Sequence, residues 1–310
     1  MKVLVIGATG AVGLPLASQL VERGHEVVGT SRTRERAETL RELGAEPAVV
    51  DLLDREAVRQ LVLETRPDAI AHQATSLSGG LDLKRFAEVF AQTNRLRTEG
   101  ADNLLAAAKE AGVERFVAQS YGALTYARVG GPVKTEDDPL DENLPEGVRP
   151  TIAAIKHLEA AVLDAGGIAL RYGSFYGAAS DPMLDAVRGR KVPLVGDGGG
   201  VWSLVHVADA AGATVLALEQ GESGIYNIAD DEPAPVREVL PAMAEALGAP
   251  PPRKVPAWLA RLFAGEIGVV MMTEVRGASN AKAKRELGWT LLYPSWRQGF
   301  PATYGAAQAA

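Results

Sequence analysis

Cysteine is absent from the 310-residue chain, which excludes disulfides, thiolate metal sites and a cysteine nucleophile. The four histidines, His25, His72, His157 and His206, are scattered along the sequence. Their spacing is not typical of metal ligands, so we expect no metal site. Aromatic residues make up only 5%, and no platform of stacked rings is indicated.

The sequence also lacks a basic tract and a long apolar run. The net charge is −7, which argues against nucleic acid as a partner. The apolar segment LFAGEIGVVMM is interrupted by Glu266 and is too short to span a bilayer, so no membrane association is expected. The chain starts MKVLVIGATG, with a strand pattern at once, which predicts a cytoplasmic protein without a signal peptide. The sequence leaves a homodimer as one candidate assembly.

Short β-branched runs alternate with amphipathic helical patterns through the first half of the chain. KVLVIG, HEVVGT, AEPAVVDL, DAIAHQA and ERFVAQS read as strands, and a long helix is predicted from about Leu83 to Ala111. Buried strands alternating with helices of this length predict an α/β fold with a doubly wound parallel sheet.

The alternation ends after Gly177, where glycine and proline become frequent. The segment VWSLVHVADAAGATVLALEQGESGIYNIA still has a strand-helix-strand pattern and is predicted to rejoin the sheet. We therefore predict a first domain over 1–176, rejoined by about 201–229. A smaller C-terminal substrate-binding lobe would contain 177–200 and 230–310.

Three glycines, Gly7, Gly10 and Gly13, follow the first strand directly and open a helix. Glycines in this place permit the tight turn, the close approach of a diphosphate and the packing of the helix on the sheet. The helix N-terminus adds free N–H groups and a positive dipole. The pattern predicts a Rossmann-type dinucleotide site that includes Thr9, Ala11 and Val12.

The spacing Gly-x-x-Gly-x-x-Gly and the later segments resemble a known family. AIAHQAT is similar to its fourth-strand signature, and QTNRLRTEGADNLLAAAKEAGVERFVAQS to its asparagine-containing helix and fifth strand. ALRYGSFYG and SLVHVADAA resemble segments that follow its active-site helix. Taken in order, these motifs resemble the extended, NAD-dependent epimerase/dehydratase type of short-chain dehydrogenase/reductase.

The end of the second strand, GTSRTRER, favours NADP(H) over NAD(H). It offers Ser31, Arg32 and Arg34, and no acid before Glu35 that could bind a ribose 2′-hydroxyl; guanidinium groups can bind a 2′-phosphate instead. The alternative is that these arginines lie in solvent at the start of a helix and that the cofactor is NAD(H). The resemblance adds further cofactor ligands: Asp51 and Leu52 near the adenine, Gln73, Ala74 and Thr75 near the ribose and diphosphate, and Asn94, Gln119, Tyr172 and Gly173.

The resemblance implies a Tyr-x-x-x-Lys pair on one helix, whose side chains share a face. Lys156 matches the lysine and is predicted to bind the nicotinamide ribose, but Ile152 stands four residues before it. No lysine in the chain has a tyrosine four positions upstream. The predicted site therefore lacks its usual proton donor. The alternative for Lys156 is a half-buried lysine whose amine reaches solvent.

The end of the fifth strand offers a replacement. Ser120 and Tyr121 both fall near the position where the family has a serine or threonine, and the register leaves both as catalytic candidates. We expect Tyr121, near Lys156 and the cofactor, to have a lowered pKa suited to acid–base work. The alternative is a packing tyrosine. Tyr126, Thr151 and His157 are further candidates.

On the substrate side we expect loops 76–82, 121–150, 176–184 and 196–206 to line a cleft. The predicted substrate contacts are Thr75, Ser76, Tyr126, Ser174, Met183, Trp202 and His206, with core packing as the alternative for each. The resemblance implies an NADP(H)-dependent oxidoreductase or epimerase-type enzyme for a small carbonyl, alcohol or sugar-nucleotide substrate, with a non-standard proton donor. The alternative function is a non-catalytic NADP(H)-binding sensor or regulatory protein.

Overall fold

A seven-stranded parallel sheet forms the centre of the computed structural model. The structure describes residues 1–77, 82–123, 125–179 and 181–305, without the side chains of Arg34 and Ala37. In chain order the strands are β1 (Lys2–Ile6), β2 (Glu26–Ser31), β3 (Glu46–Val49), β4 (Ala69–His72), β5 (Arg115–Tyr121), β6 (Val133–Lys134), β7 (Ile168–Tyr172), β8 (Ser174–Tyr176), β9 (Leu194–Val195), β10 (Val201–Trp202), β11 (Leu204–His206), β12 (Gly224–Ile228), β13 (Ala234–Pro235), β14 (Lys254–Val255) and β15 (Gly277–Ala278).

The central sheet has the strand order β12-β7-β5-β4-β1-β2-β3. β4 and β7 are buried along their whole length, as expected for strands covered on both faces. The order reverses between β1 and β4, and ligands of open α/β sheets bind at the carboxyl ends of the strands beside such a reversal. The predicted parallel α/β sheet is confirmed.

Twelve α-helices are present in the described part of the chain. They are α1 (Gly13–Glu22), α2 (Arg34–Glu42), α3 (Arg55–Thr65), α4 (Phe86–Arg95), α5 (Ala101–Ala111), α6 (Arg149–Asp164), α7 (Pro182–Arg188), α8 (Val207–Gln220), α9 (Val236–Ala246), α10 (Ala257–Thr273), α11 (Ala281–Leu287) and α12 (Trp296–Tyr304). α10 is kinked at Gly265. No helix among these residues is long and apolar enough to cross a membrane.

The single long helix predicted up to Ala111 is divided in the structure. It comprises the 3-10 turn Leu83–Arg85, α4, the π-helical turn Leu96–Gly100 and α5. A π turn inserts one extra residue and changes the direction of the side chains around it, and such turns are frequent at functional sites. In this chain it buries Arg97 near His72, the last residue of β4, and Tyr121, the last residue of β5.

Apolar side chains form three clusters around these elements. One packs α1 and α8 on the sheet, and a second packs α3, α5 and part of α6 on the opposite face. The third joins Phe86 and Ile152 to Met243 and Trp296, and so combines residues from both predicted lobes. β12 pairs with β7, but the division into two lobes stays a prediction.

Candidate active site

The glycine turn after β1 lies directly against the end of β4. Gly7 has a φ of +79°, which side-chain-bearing residues rarely adopt. A Cβ at Gly7 would lie 2.8 Å from Cα of Ala74, and one at Gly13 only 2.2 Å from the carbonyl oxygen of Gly7. The N–H of Gly7 donates to Oγ1 of Thr30 over 3.0 Å, which ties the turn to β2. The positive φ and the contact with Ala74 therefore require glycine at position 7, and the carbonyl oxygen of Gly7 requires glycine at position 13.

The turn forms a cradle that fits the diphosphate of a dinucleotide. Gly10 and Ala11 are exposed at the mouth of α1, and a Cβ at Gly10 would meet only the carbonyl oxygen of Gly7 within 4 Å. The first N–H groups of a helix have no intrahelical partners and attract anions. The space in front of the turn is thus open and lined by donors.

The end of β2 places polar groups on the same edge of the sheet. Ser31 is buried, and its hydroxyl oxygen accepts from the N–H of Thr33. Arg32 is exposed, and its Nη1 lies 3.5 Å from Oγ of Ser76. The side chain of Arg34 lies outside the described residues. The edge therefore presents one described guanidinium where a carboxylate would indicate NAD(H).

Most of the predicted cofactor ligands lie at the carboxyl ends of β1, β2, β3, β4 and β5 or in the turns that follow. This group contains Gly7, Thr9, Gly10, Ala11, Val12, Gly13, Ser31, Arg32, Asp51, Leu52, Gln73, Ala74, Thr75 and Gln119. Tyr172 is fully buried, and its hydroxyl hydrogen-bonds Oγ1 of Thr214. Gly173 is buried against the carbonyl oxygen of Ser203. The structure brings neither residue to an accessible surface.

Helix α6 points Lys156 away from the sheet. Its side chain is 46% exposed and pairs with Glu142 over 3.0 Å, beside a surface hollow lined by residues between 127 and 143. Thr151 and Ile155 are buried instead, and Thr151 Oγ1 accepts from Nδ2 of Asn94 over 3.1 Å. The ribose-binding role of Lys156 stays a prediction, and the structure does not place its amine with the other candidates.

A buried ion pair holds α6 against β5 and β7. Glu159, 4% exposed, accepts from Nε and Nη2 of Arg171, both over 2.7 Å. Ser120 donates its hydroxyl to the same carboxylate over 2.6 Å, and Arg171 also donates to the hydroxyl of Tyr126 over 3.1 Å. Charge-assisted, bidentate bonds of this kind are strong and geometrically specific. The hydroxyl of Ser120 is therefore engaged beneath the edge of the sheet.

Tyr121 points to the opposite face of β5 from Ser120, because side chains alternate along a strand. Its hydroxyl makes no hydrogen bond to any described residue, and the neighbouring cation is Arg97. Burial raises the pKa of Tyr121 to about 12, against the lowering effect of Arg97. The expectation of a lowered pKa beside Lys156 is thus corrected: the cation is a different residue, and in the protein alone desolvation outweighs it.

The predicted substrate contacts are dispersed. Thr75 and Ser76 follow β4 and are half-buried. Tyr126 is buried and donates to Oδ1 of Asn227, and Trp202 packs in the third apolar cluster and donates Nε1 to the carbonyl oxygen of Met271. The remaining three lie on C-terminal elements: Ser174 on β8, Met183 on α7, and His206 as the N-cap of α8. Burial lowers the pKa of His206 to about 4.

Two residues of this region, Glu159 and Arg97, were not singled out from the sequence. Glu159 could have been found, since it lies eight residues after Thr151 on one stripe of α6 and faces a strand arginine. Arg97 carries no such signal, because its burial depends on the π turn. Both lie near the end of β5, where Glu159 accepts from Ser120 and Arg97 neighbours Tyr121.

His72, at the end of β4, predicts a loss of stability in acid. Its ring is 2% exposed, and Nε2 lies 3.3 Å from the carbonyl oxygen of Leu96. Burial lowers its pKa from 6.5 to about 4. The unfolded chain therefore gains a proton between pH 6.5 and about 4 while the folded protein does not, and the free energy of unfolding falls across that window.

Replacing His72 by glutamine is expected to remove up to about 3 kcal/mol of this fall. Urea denaturation of both proteins at pH 8, 6.5, 5.5 and 4.5 measures it, with the pH 8 values giving the packing cost of the substitution alone. Parallel pH dependences for the two proteins would contradict the assignment.

Comparison with known proteins shows which family has a similar sequence around this site. A model of the NAD dependent epimerase/dehydratase family matches residues 3–229. A 3-diazoavenalumate denitrifying reductase of a Streptomyces species is 44% identical over 307 residues, covering 96% of this chain and 99% of the relative. A 2-alkyl-3-oxoalkanoate reductase of Stenotrophomonas maltophilia is 28% identical over 97% of this chain and 92% of the relative.

Among solved structures, the UDP-glucose 4-epimerase of Thermus thermophilus in complex with NAD is similar along the whole chain. The TM-score is 0.77, the sequences are 29% identical, and each chain is covered completely. The β1–α1 turn and the edge of the sheet described above are therefore parts of an enzyme fold that uses a nicotinamide dinucleotide. These matches to reductases and an epimerase count against a non-catalytic sensor.

Proposed function

The chain belongs to the NAD-dependent epimerase/dehydratase family, and on that premise we propose that it is an NADP(H)-dependent reductase. Its proposed substrate is a small electrophile of the diazo class. The residues of the glycine turn and of the end of β2 would hold the nucleotide. The remaining question is how the substrate is reduced, and the side chains around the end of β5 bear on it.

The face of α6 is the observation that carries this proposal. Two side chains four residues apart, Thr151 and Ile155, are buried, and neither carries a group that ionises near neutral pH. α6 contains no tyrosine, and its lysine is directed to Glu142. The helix therefore offers the edge of the sheet no acid–base pair.

The chemistry of the substrate decides whether such a pair is needed. The reduced nicotinamide, when bound, supplies a hydride, which is a proton with two electrons. An aryl diazonium that accepts it gains a C–H bond, loses its C–N bond and releases dinitrogen, so no further proton is required. A ketone that accepts the same hydride becomes an alkoxide and needs an acid, and an epimerase must remove and return a hydroxyl proton.

The relatives support the same substrate class. The denitrifying reductase, which is named for a diazo substrate, is 44% identical to this chain. The oxoalkanoate reductase is 28% identical, and the structurally similar UDP-glucose 4-epimerase 29%. Hydride reduction without a protein acid would explain why α6 lacks an acid–base pair. It would also explain why this chain is more similar to the denitrifying reductase than to the oxoalkanoate reductase or the epimerase.

Ketone reduction is the second candidate, and Tyr121 favours it. Its hydroxyl makes no hydrogen bond within the described residues and lies near the guanidinium of Arg97. A tyrosine in that place could donate a proton to an alkoxide formed beside it. This route requires the phenol, whereas the diazo route does not.

A labelled hydride distinguishes the two routes. The protein is incubated with 4-diazoniobenzoate and NADPH carrying deuterium at C4 of the nicotinamide, with an enzyme-free mixture as control. We expect benzoate with deuterium at position 4 and release of dinitrogen, both faster than in the control, and an unchanged rate for Tyr121→Phe. Reduction of ethyl 3-oxobutanoate alone, abolished by Tyr121→Phe, would support the ketone route and overturn the diazo proposal.

The proposed preference for NADP(H) depends on Arg32. Replacing Arg32 by alanine is expected to weaken NADPH binding about 10- to 100-fold, because a hydrogen bond to a charged group is lost. NADH affinity should change little. Fluorescence titration with both nucleotides measures this, and Arg36→Ala, which removes another exposed arginine a few residues along, is the matched control. Equal losses for NADH and NADPH would contradict a 2′-phosphate contact.

A further inference from the structure

Arg97 is a buried arginine whose charge no described residue neutralises. The π turn between α4 and α5 carries it inward, and only 3% of the residue is exposed. Its Nε and Nη1 are fully shielded from solvent and have no hydrogen-bond partner among the residues that the structure describes. A buried charge is costly unless it is paired, so a side chain in this state indicates a missing partner.

The groups packed around Arg97 do not supply that partner. Glu159, from α6, is the carboxylate whose charge acts on Arg97, but both of its oxygens already bind Arg171, and one also binds Ser120. Tyr121, from β5, is neutral because burial raises its pKa to about 12. His72, from β4, is neutral because burial lowers its pKa to about 4.

Arg97, Arg171, Glu159, Tyr121 and His72 form one buried cluster, and its net charge follows from their protonation states. Burial lowers the pKa of Arg97 only to about 10, so it remains a cation at neutral pH. Arg171 and Glu159 cancel, and the cluster keeps one positive charge. The position is also suitable for a ligand, since ligands bind at the carboxyl ends of strands in sheets of this kind.

We propose that Arg97 binds a carboxylate of the substrate and makes the enzyme selective for anionic substrates. The inference rests on the proposed reductase function and names the substrate class within it. The guanidinium is planar and donates two parallel N–H bonds, which match the two oxygens of a carboxylate. A neutral substrate would leave the charge of Arg97 unpaired and is rejected for that reason.

Matched substrates test this selectivity. The probes are 4-diazoniobenzoate and its methyl ester, each with NADPH, for the natural protein and for Arg97→Met, which keeps much of the side-chain volume without charge. We expect the natural protein to favour the carboxylate by about 100-fold in kcat/KM, mainly through KM. Arg97→Met should lose that preference, mainly through a higher KM for the carboxylate.

The control variant is Arg95→Met. Arg95 lies two residues away on α4 but is exposed and pairs with Glu99 over 2.8 Å, so its loss should leave the substrate ratio unchanged. A preference for the carboxylate that survives in Arg97→Met would overturn the proposal. So would equal rates for both substrates in the natural protein.

Two readouts that need no turnover separate this inference from the proposed reduction. Calorimetric titration with benzoate should detect binding to the natural protein and to Arg95→Met, but at least about tenfold weaker binding to Arg97→Met. If no diazo substrate is reduced while benzoate still binds in this pattern, the reaction assignment fails and the anion site stands. The Tm of Arg97→Met should equal or exceed that of the natural protein, since an unpaired buried charge is removed. A lower Tm together with unchanged benzoate binding would assign Arg97 a structural role and overturn the proposal.

Discussion

Replacing Glu159 by glutamine is expected to lower the free energy of unfolding by about 3–5 kcal/mol, the usual effect of removing one partner of a buried ion pair. The carboxylate is the only group in the described residues that balances Arg171, and it lies near the positive charge of Arg97. Glutamine keeps the shape but leaves Arg171 without an anion, which adds a second unpaired buried cation near Arg97. Urea denaturation followed by circular dichroism measures the change.

The exposed pair between Arg59 and Glu110 provides a control of the same chemistry. It is also bidentate, with distances of 2.8 and 2.6 Å, but the two side chains are 43% and 44% exposed. Exposed ion pairs contribute little, so Glu110→Gln should cost only a small fraction of the change at Glu159. If the two substitutions cost the same, the buried pair does not anchor α6.

The same ion pair explains how far the candidate site could be predicted. The order of strands and helices followed from buried β-branched runs, and the dinucleotide turn from three glycines. The orientation of α6 about its axis could not be predicted in the same way. Ile152 and Ile155 are both apolar, and successive residues of a helix are only about 100° apart, so the sequence does not show which face of α6 turns inward. Lys156 therefore appeared to be the functional residue, whereas the contact of Glu159 with β7 directs Thr151 and Ile155 inward.

Arg97 was missed for a related reason. Periodicity predicts one continuous helix up to Ala111, in which Arg97 would be one more charged residue of a polar face. The π turn changes that phase by one residue, and a helical pattern with mixed polar residues does not reveal it. Long-range contacts with β4, β5 and α6 determine where the side chain lies, and these contacts exist only once the sheet is assembled.

Replacing Gly7 by alanine is expected to weaken nucleotide binding by about 100-fold or more, which corresponds to about 3 kcal/mol. The left-handed φ of +79° becomes strained, and the new Cβ would lie 2.8 Å from Cα and 2.9 Å from N of Ala74. The turn or the end of β4 must move, and both border the space for the diphosphate. NADPH fluorescence titration measures the affinity, and urea denaturation the accompanying loss of stability.

Gly24 separates backbone strain from the loss of the cradle. It has nearly the same φ, +81°, but follows the opposite end of α1, and a Cβ there would meet nothing within 4 Å. Gly24→Ala should therefore cost about 1 kcal/mol of stability and leave NADPH affinity unchanged. If Gly7→Ala behaves like Gly24→Ala, the turn serves packing alone, and the dinucleotide must be held elsewhere. If only Gly7→Ala weakens NADPH binding, the diphosphate site depends on the close approach of the glycine turn to the end of β4.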